Sequence, residues 1–500
     1  MGCCRASALQ SFAEDFWRWR AFNQPFSSDD IPRIERPAGF TPDWSRAAIE
    51  RRRREYSAFF EKWKQLDAPS FDIHDRVDYR LLGSALARVH WELDVSLAWQ
   101  RDPQFYLFQT LGAVLEARLA GESDRSILQS IPHILADAKT NLTDIRAPFA
   151  RLAMEQLKDV RTHVSDQKAA EALEDFRIWL QQQPASPNTA AGREAYSFFL
   201  REVALLPYTP EEMLEISRQE FDRAVAFESF ERNRNSGLPE LPLFPSAEAQ
   251  IERCQRDEAN VRRFLMEHRI LTVPDWIPHY RYAAIRPELE ALSGFSEMDI
   301  FRKSEGLRFI PPPSDKLGYF ARSMAQDPRA DMVHEGVPGH YFQLALGWAH
   351  EDPIRRHYYD SSANEGIGFY SEEMMLQAGY FDDSPRTREM IYNYMRLRAL
   401  RVEVDVKLAT GEFSIAQAAN YLERTVPMDA ATAGNEAATF ASIPGQAISY
   451  QIGKTQILRF LAHARLQQGA NFRLQAFHDF LWKNGNVPIA LQEEEYLWRP

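Results

Sequence analysis

The chain has 500 residues, of which 45% are hydrophobic and 26% are charged, so it can bury a large core and is not a disordered protein. Its 59 basic and 71 acidic side chains give a formal net charge of −12. This balance disfavours a nucleic-acid partner and does not favour an anionic membrane surface. The three cysteines, Cys3, Cys4 and Cys254, do not have the pattern of a disulfide framework, so reduced thiols and a cytoplasmic location are expected.

The first residues are expected to carry neither a secretory signal nor an apolar run of the roughly 18 residues that span a membrane. Met1-Gly2-Cys3-Cys4 is similar to an acylation site, but Ala6 stands where the myristoylation pattern requires Ser or Thr. Lipidation at Gly2, Cys3 or Cys4 is therefore the minor alternative.

Helical periodicity dominates the first 245 residues. Phe12, Phe16, Trp19 and Phe22 fall on one apolar stripe of a first helix. Further helices are predicted over 46–66, 72–99, 131–142, 151–163 and 169–183, and another starts at Thr209-Pro210.

The pattern changes between about residues 270 and 320, where six prolines interrupt any helix. We expect a small β-sheet here, with a short extended piece over 318–323, and helices again from about Gly339. The predicted fold is mainly α, with an N-terminal helical lobe over 1–245 and a metal-site lobe over 246–500. The two lobes are expected to form one continuous body.

The sharpest local pattern is His334-Glu335-Gly-Val-Pro338-Gly339-His340, an HExxxxH motif. Zinc hydrolases need two imidazoles on one metal and a carboxylate beside the bound water. Six positions on a straight helix rotate the second histidine by about 240°, away from the first. Because Pro338 and Gly339 favour a helix break, they offer a way to bring His340 back to the side of His334.

A second motif follows 25 residues after His340, at Glu365. This distance suits a third ligand on the next helix. Glu372 lies two turns further along the same face and is expected to orient a histidine by a hydrogen bond. The alternative is that Glu365 caps a helix and Glu372 is solvated.

Two further segments contain candidate site residues. Arg398, Arg401 and Asp405 share one helix face, where the arginines are candidates to bind a substrate carboxylate and Asp405 to support the site from behind. An ion-pair ladder between helices explains them equally well. Gln446 and Tyr450 share the face of another helix, as a substrate contact and an oxyanion donor, unless Tyr450 is a packing residue.

Together these segments resemble the family known as domain of unknown function 885, and weaker similarity extends upstream to residues 16–19, 99–103 and 192–196. The resemblance implies a two-lobed helical body with a deep cleft and a small sheet beside the metal helix. It looks distantly similar to zinc metallopeptidases such as angiotensin-converting enzyme and the Taq-type carboxypeptidases. It also implies His334, His340 and Glu365 as metal ligands and Glu335 as general base.

Three functions are left open. The leading hypothesis is a zinc hydrolase of amide or peptide bonds in small substrates, with Glu335 as base, Tyr450 at the oxyanion, and Arg398 or Arg401 on the substrate. The first alternative is a tailoring enzyme, a lyase, cyclase or oxidative enzyme, in which the same residues hold manganese or iron. The second alternative is a non-catalytic binding scaffold.

Overall fold

The computed structural model describes residues 7–27, 36, 37, 39–160, 164–286, 289, 292 and 306–498. Gly2, Cys3 and Cys4, the possible lipidation sites, lie outside these residues. Helices account for 70% of the structure and strands for 2%, which confirms the predicted mainly α class. Among the described helices, none is long and apolar enough to cross a membrane.

Helices and short helical turns make up most of the described residues before Ala204. The helices are α1 Ala8–Asn23, α2 Arg46–Lys64, α3 Ile73–His90, α4 Ala98–Arg101, α5 Pro103–Leu107, α6 Ala113–Leu119, α7 Arg125–Asn141, α8 Ala147–Val160, α9 Gln167–Leu180 and α10 Arg193–Phe198. Short π-helical turns cover Trp91–Val95, Phe108–Gly112 and Phe199–Val203, and a 3-10 turn covers Ala68–Ser70.

The remaining elements include the two strands. They are α11 Pro210–Arg234, α12 Ala247–Glu267, β1 Arg281–Ala284, β2 Leu307–Ile310, α13 Tyr319–Gln326, α14 Arg329–Glu335, α15 His340–Trp348, α16 Pro353–His357 and α17 Ser361–Gln377. The last ones are α18 Pro385–Thr410, α19 Ile415–Thr425, α20 Ala430–Ser442, α21 Ser449–Gln468, α22 Leu474–Lys483 and α23 Ile489–Leu497, with a 3-10 turn at Gly469–Asn471.

The chain divides into two compact units. The first unit consists of Met1–Val203, Arg286–Ile300 and Asp352–Tyr358, and the second of Ala204–Ile285, Phe301–Glu351 and Tyr359–Pro500. Every residue of the candidate centre lies in the second unit. The predicted lobes, 1–245 and 246–500, come from the sequence pattern and do not correspond to these units, so they stay a prediction.

In the first unit, the segment Asp352–Tyr358 packs against α3 although it is far away in sequence. The guanidinium of Arg355 donates to Asp78 over 2.9 Å, and the hydroxyls of Tyr358 and Ser84 lie 2.8 Å apart. All four side chains are buried, so these polar contacts replace the water that each group loses on folding.

Two predicted boundaries in this unit are wrong. The helix predicted over 72–99 is interrupted after His90, because a π-helical turn follows and Leu97 adopts a left-handed backbone with φ of +54°. The helix predicted to start at residue 131 starts at Arg125 and contains Pro132. Burial of the apolar stripe around Ile131 there outweighs the roughly 3 kcal/mol that an internal proline costs.

The second unit is built around α11, α17, α18 and α21. Lys454 of α21 is fully buried, and its ammonium lies 2.7 Å from Glu373 of α17 and 3.1 Å from Glu220 of α11. A buried lysine needs such partners, so this cluster fixes how the three helices pack. Helices α17 and α21 also meet backbone to backbone, because a Cβ atom on Gly366 would lie 2.7 Å from the Cα atom of Gly453.

The predicted small sheet is confirmed. Strands β1 and β2 are parallel, with Arg281 opposite Leu307 and Ala284 opposite Ile310. The extended piece predicted over 318–323 is wrong, because a helix starts at Tyr319, whose backbone N–H donates to Asp429 over 2.9 Å. Helices therefore resume about twenty residues earlier than predicted.

A buried histidine in this unit predicts a pH-dependent stability. Nδ1 of His478 lies 2.8 Å from the carbonyl oxygen of Ile270 and Nε2 lies 2.8 Å from the Tyr370 hydroxyl, so a neutral ring that donates from Nδ1 and accepts at Nε2 satisfies both contacts. Burial lowers the pKa of His478 from 6.5 to about 4, against the smaller opposing effects of the Ile270 carbonyl and Asp479. The unfolded chain therefore takes up this proton first as the pH falls.

We expect the stability that neutral His478 contributes to be complete above pH 6.5 and to be lost as the pH falls towards 4. Between pH 8 and pH 5 the loss should be about 2 kcal/mol in the free energy of unfolding, measured by urea denaturation. His478→Gln should be less stable than the wild type at pH 8 by a margin that narrows at pH 5. The exposed His268→Gln variant is the control, and an unchanging margin for His478→Gln would contradict the prediction.

Candidate metal centre

The HExxxxH segment is two helices joined by a break, as its Pro-Gly pair predicts. Helix α14 ends at Glu335 and α15 begins at His340. A Cβ atom on Gly339 would lie 1.7 Å from the carbonyl oxygen of His334, so only glycine allows this return of the backbone. The indole of Trp482 donates to the Pro338 carbonyl over 2.6 Å and anchors the break from α22.

The break brings the two histidines to one point. Nε2 of His334 lies 3.3 Å, and Nε2 of His340 lies 3.1 Å, from the same oxygen of Glu365, Oε2. The two rings are nearly perpendicular, at 85°, with centroids 4.7 Å apart. Glu335 belongs to the same cluster, since one ligand-type atom from it and from each histidine lie within 4.8 Å of one another. The structure therefore brings these four predicted residues together.

Helix α17 supplies the face opposite the histidines. Glu365, Gly368 and Glu372 lie three and seven residues apart and so share one side of the helix. A Cβ atom on Gly368 would lie 2.8 Å from Cε1 of His340 and 3.0 Å from Nε2 of His334. The bare backbone at this position is what lets both imidazoles reach the Glu365 carboxylate.

Glu372 fixes the orientation of one histidine, as its spacing predicts. Nδ1 of His334 donates to Oε1 of the fully buried Glu372 over 2.7 Å. A carboxylate only accepts, so the proton of a neutral ring resides on Nδ1 and the lone pair of Nε2 faces Glu365. Arg398 adds a longer contact of 3.5 Å to the same Glu372 oxygen.

The charges at this point favour a cation. Burial opposes protonation of His334, yet its hydrogen bonds to Glu365 and Glu372 raise its pKa from 6.5 to about 9. Burial also opposes ionisation of Glu365, but His340 and His334 hold its pKa well below the usual range. The carboxylates thus attract positive charge to the space between the imidazoles, and a metal ion is one way to supply it.

Tyr450 stacks against the centre. Its ring lies 6.1 Å from the His334 ring at 22°, and the Arg401 guanidinium lies 4.5 Å from the Tyr450 centroid. Burial and the charge of Glu365 raise the pKa of Tyr450 well above 10, so the hydroxyl keeps its proton and can donate it in a hydrogen bond.

Asp405 supports the backbone that carries Gln446 and Tyr450. The buried Asp405 carboxylate accepts from the N–H groups of Gly445, Ala447 and Ile448 over 2.7–3.2 Å. The Gln446 amide in turn lies 3.4 Å from Oε1 of Glu365. Asp405 therefore acts on the candidate centre through the loop before α21, not through a histidine.

The two arginines proposed as substrate contacts are both buried. Arg401 donates twice to Glu436, over 2.8 and 2.6 Å, so its fork already holds a carboxylate. Arg398 lies among aromatic rings, 5.2 Å from the centroid of Tyr394 and 5.3 Å from that of Tyr450. The structure thus gives Arg401 a partner within the protein, and substrate binding by either residue stays a prediction.

Three residues of this region have no role predicted from the sequence: Arg308, Gly368 and Trp482. Arg308 lies within 3.6 Å of Glu335, but nothing in its short strand indicates a contact with a helix that begins 21 residues later. Gly368 was recoverable, because a glycine one turn after a candidate ligand leaves room for a close approach. Trp482 was not, since it lies far along the chain from the break that it anchors.

Comparison with known proteins finds a family model that matches the part of the chain that holds the site. Residues 308–495 match the family described as "Bacterial protein of unknown function (DUF885)". The resemblance expected from the motifs is confirmed. No curated protein matches the sequence.

Two solved structures share the fold at low sequence identity. A putative lipoprotein of unknown function from Shewanella oneidensis superposes with a TM-score of 0.73 at 17% identity, covering 99% of each chain. A putative lipoprotein from Colwellia psychrerythraea gives a TM-score of 0.66 at 16% identity, covering 98% of this chain and 97% of the other. Their description as lipoproteins contradicts the cytoplasmic location expected from cysteine usage, and that expectation is wrong.

The contact between Gly368 and the imidazoles predicts a site-specific loss. Gly368→Ala places a methyl group within about 3 Å of both rings, so it should displace them and weaken divalent-metal binding by at least about tenfold. Isothermal titration with zinc measures the loss. Gly434→Ala is the matched control, because a Cβ there meets nothing within 4 Å. Equal zinc affinity in the two variants would contradict the prediction.

Proposed function

We propose that the protein is a metal-dependent hydrolase that cleaves amide bonds in small substrates, with zinc as the first candidate metal. One observation carries the proposal: Nε2 of His334 and Nε2 of His340 face the same oxygen of Glu365, at 3.3 and 3.1 Å. At these distances the two nitrogens and the oxygen are held together either by protons on the imidazoles or by one cation that all three atoms bind.

The donor set fits a divalent transition metal. Two imidazole nitrogens and one carboxylate oxygen are the protein ligands of many catalytic zinc sites. The Glu372–His334 hydrogen bond matches the carboxylate–histidine arrangement that orients a ligand and raises its basicity. When bound in such a site, zinc lowers the pKa of water and polarises a carbonyl group.

Glu335 is the candidate for moving the proton. Its carboxylate belongs to the same cluster as the two histidines, and its side chain is 25% exposed, against 5% for each histidine. It can accept a proton from a water molecule in the centre and release it to the leaving nitrogen. Tyr450, which stays protonated, supplies a donor for the oxygen that gains charge.

The exposure of these groups limits the substrate. Because the imidazoles are nearly buried and Glu335 is only a quarter exposed, we expect a scissile bond to enter as part of a narrow or small molecule. We therefore expect short peptides or other small amides to be substrates, and folded proteins to be resistant.

Metal content tests the first half of the proposal. The protein purified without chelators should hold one zinc ion per chain, and adding zinc to chelator-treated protein should raise its thermal midpoint. The free energy of unfolding should rise by about 4 kcal/mol when the free zinc concentration exceeds the Kd about a thousandfold. Glu365→Gln should lose most of this shift, and the exposed Glu423→Gln should keep it. No metal and no shift would contradict a metal centre, and iron or manganese with oxygen uptake would favour the oxidative alternative.

Amide hydrolysis tests the second half. A dipeptide and acyl-amino-acid panel should identify a substrate, and Glu335→Gln should then lower kcat by about 10²–10⁴ while zinc affinity changes little. Glu372→Gln should instead weaken zinc binding by about 10–100-fold. Glu423→Gln again serves as the control for loss of a carboxylate. Full activity of Glu335→Gln would exclude it as the general base.

A further inference from the structure

Arg308 of strand β2 contacts helix α14, which carries His334 and Glu335. Nη2 of Arg308 lies 2.9 Å from Oδ1 of Asp331, and Nη1 of the same guanidinium lies 3.6 Å from Oε2 of Glu335. Asp331 and Glu335 are four residues apart on α14, so their side chains project from one face of the helix. One arginine therefore spans both carboxylates.

Glu335 is the residue of this cluster with the least local support. It is the last residue of α14, and the backbone leaves the helix at Gly336, where ψ is −99°. Its side chain is also 25% exposed, whereas those of Glu365 and Glu372 are 12% and 0% exposed. A glutamate at a helix end that faces water samples several rotamers unless a neighbour holds it.

Arg308 has what is needed to hold it. The guanidinium is planar and always charged, so fixing one nitrogen on Asp331 also fixes where the other nitrogen lies. Its strand is fixed in turn, because Arg308 stands opposite Tyr282 in the β1–β2 pair. The sheet and the ion pair with Asp331 together fix the Arg308 guanidinium, and the guanidinium in turn fixes the Glu335 carboxylate.

We propose that Arg308 is a positioning residue for Glu335, with Asp331 as its anchor. The inference rests on the proposed function, because it takes Glu335 as the group that accepts the proton. Neither of the other two arginines near the centre can replace Arg308. Arg401 is held by Glu436, and Arg398 contacts Glu372 behind His334.

Steady-state kinetics on the best substrate of the panel distinguish positioning from binding. Arg308→Gln should lower kcat by about 10–100-fold, because small displacements of a base cost that much, with KM and zinc affinity unchanged. Arg308→Lys should recover only part of the loss, since one ammonium cannot span both carboxylates. Arg281→Gln, an exposed arginine on β1, is the control. A rise in KM at unchanged kcat would overturn the proposal in favour of a substrate contact.

A double-variant cycle separates failure of this inference from failure of the proposed function. If Arg308 acts through Glu335, Arg308→Gln should lower kcat no further once Glu335→Gln is present. An equal loss in both backgrounds overturns the inference and leaves Glu335 as the base. If Glu335→Gln alone keeps full turnover, the assignment of the base fails, and the positioning role fails with it.

A crystal structure of Arg308→Gln provides a readout that needs no turnover. The Glu335 carboxylate should leave the cluster, so that none of its oxygens remains within 4.8 Å of both imidazole nitrogens, while His334, His340 and Glu365 keep their places. The Asp331→Asn variant should produce a smaller displacement. An unmoved Glu335 side chain in both variants would overturn the proposal.

Discussion

Two imidazole nitrogens and one carboxylate oxygen share one small space in this protein, and several helices of the second unit meet there. Nε2 of His334, Nε2 of His340 and Oε2 of Glu365 face one another at little more than 3 Å. Protons on the imidazoles or a bound cation balance the carboxylate charge at this point. The imidazoles are nearly buried, so a bound cation would interact strongly with its ligands.

Each of these three side chains reaches this space because a local feature of the backbone allows it. The turn at Gly339 redirects the chain between α14 and α15, and the missing side chain at Gly368 opens the surface of α17. The Gly366–Gly453 contact then brings α21 close enough for Tyr450 to stack on His334. The chemistry of the site therefore depends as much on absent side chains as on the ligands themselves.

Patterns that act within one helix or one motif were predictable from the sequence. The helix break at Pro338-Gly339, the alignment of Glu365 with Glu372 and the mainly α class follow from spacing and composition, which do not depend on the rest of the fold. Contacts between distant segments were not predictable. Arg401 could equally have bound a ligand or another helix, and only the packing of α18 against α20 gives it Glu436 as a partner.

Helix boundaries failed for a related physical reason. At Pro132 the local penalty against a helix is real, but burial of the surrounding apolar face is larger. At Tyr319 the helix starts with a backbone hydrogen bond to Asp429, more than a hundred residues away. The local sequence shows the unfavourable effect of Pro132. It shows neither the burial that compensates for it nor the hydrogen bond to Asp429 that starts the helix at Tyr319.

The four-residue break between α14 and α15 changes how centres of this kind should be recognised. A search that requires two histidines one helical turn apart assumes an unbroken helix between them, and it does not find this chain. In this chain two imidazoles converge although six positions separate them, because a proline and a glycine let the backbone double back. The spacing between the two histidines then depends on the loop that joins their helices, and similar pairs can occur in sequences that the familiar pattern rejects.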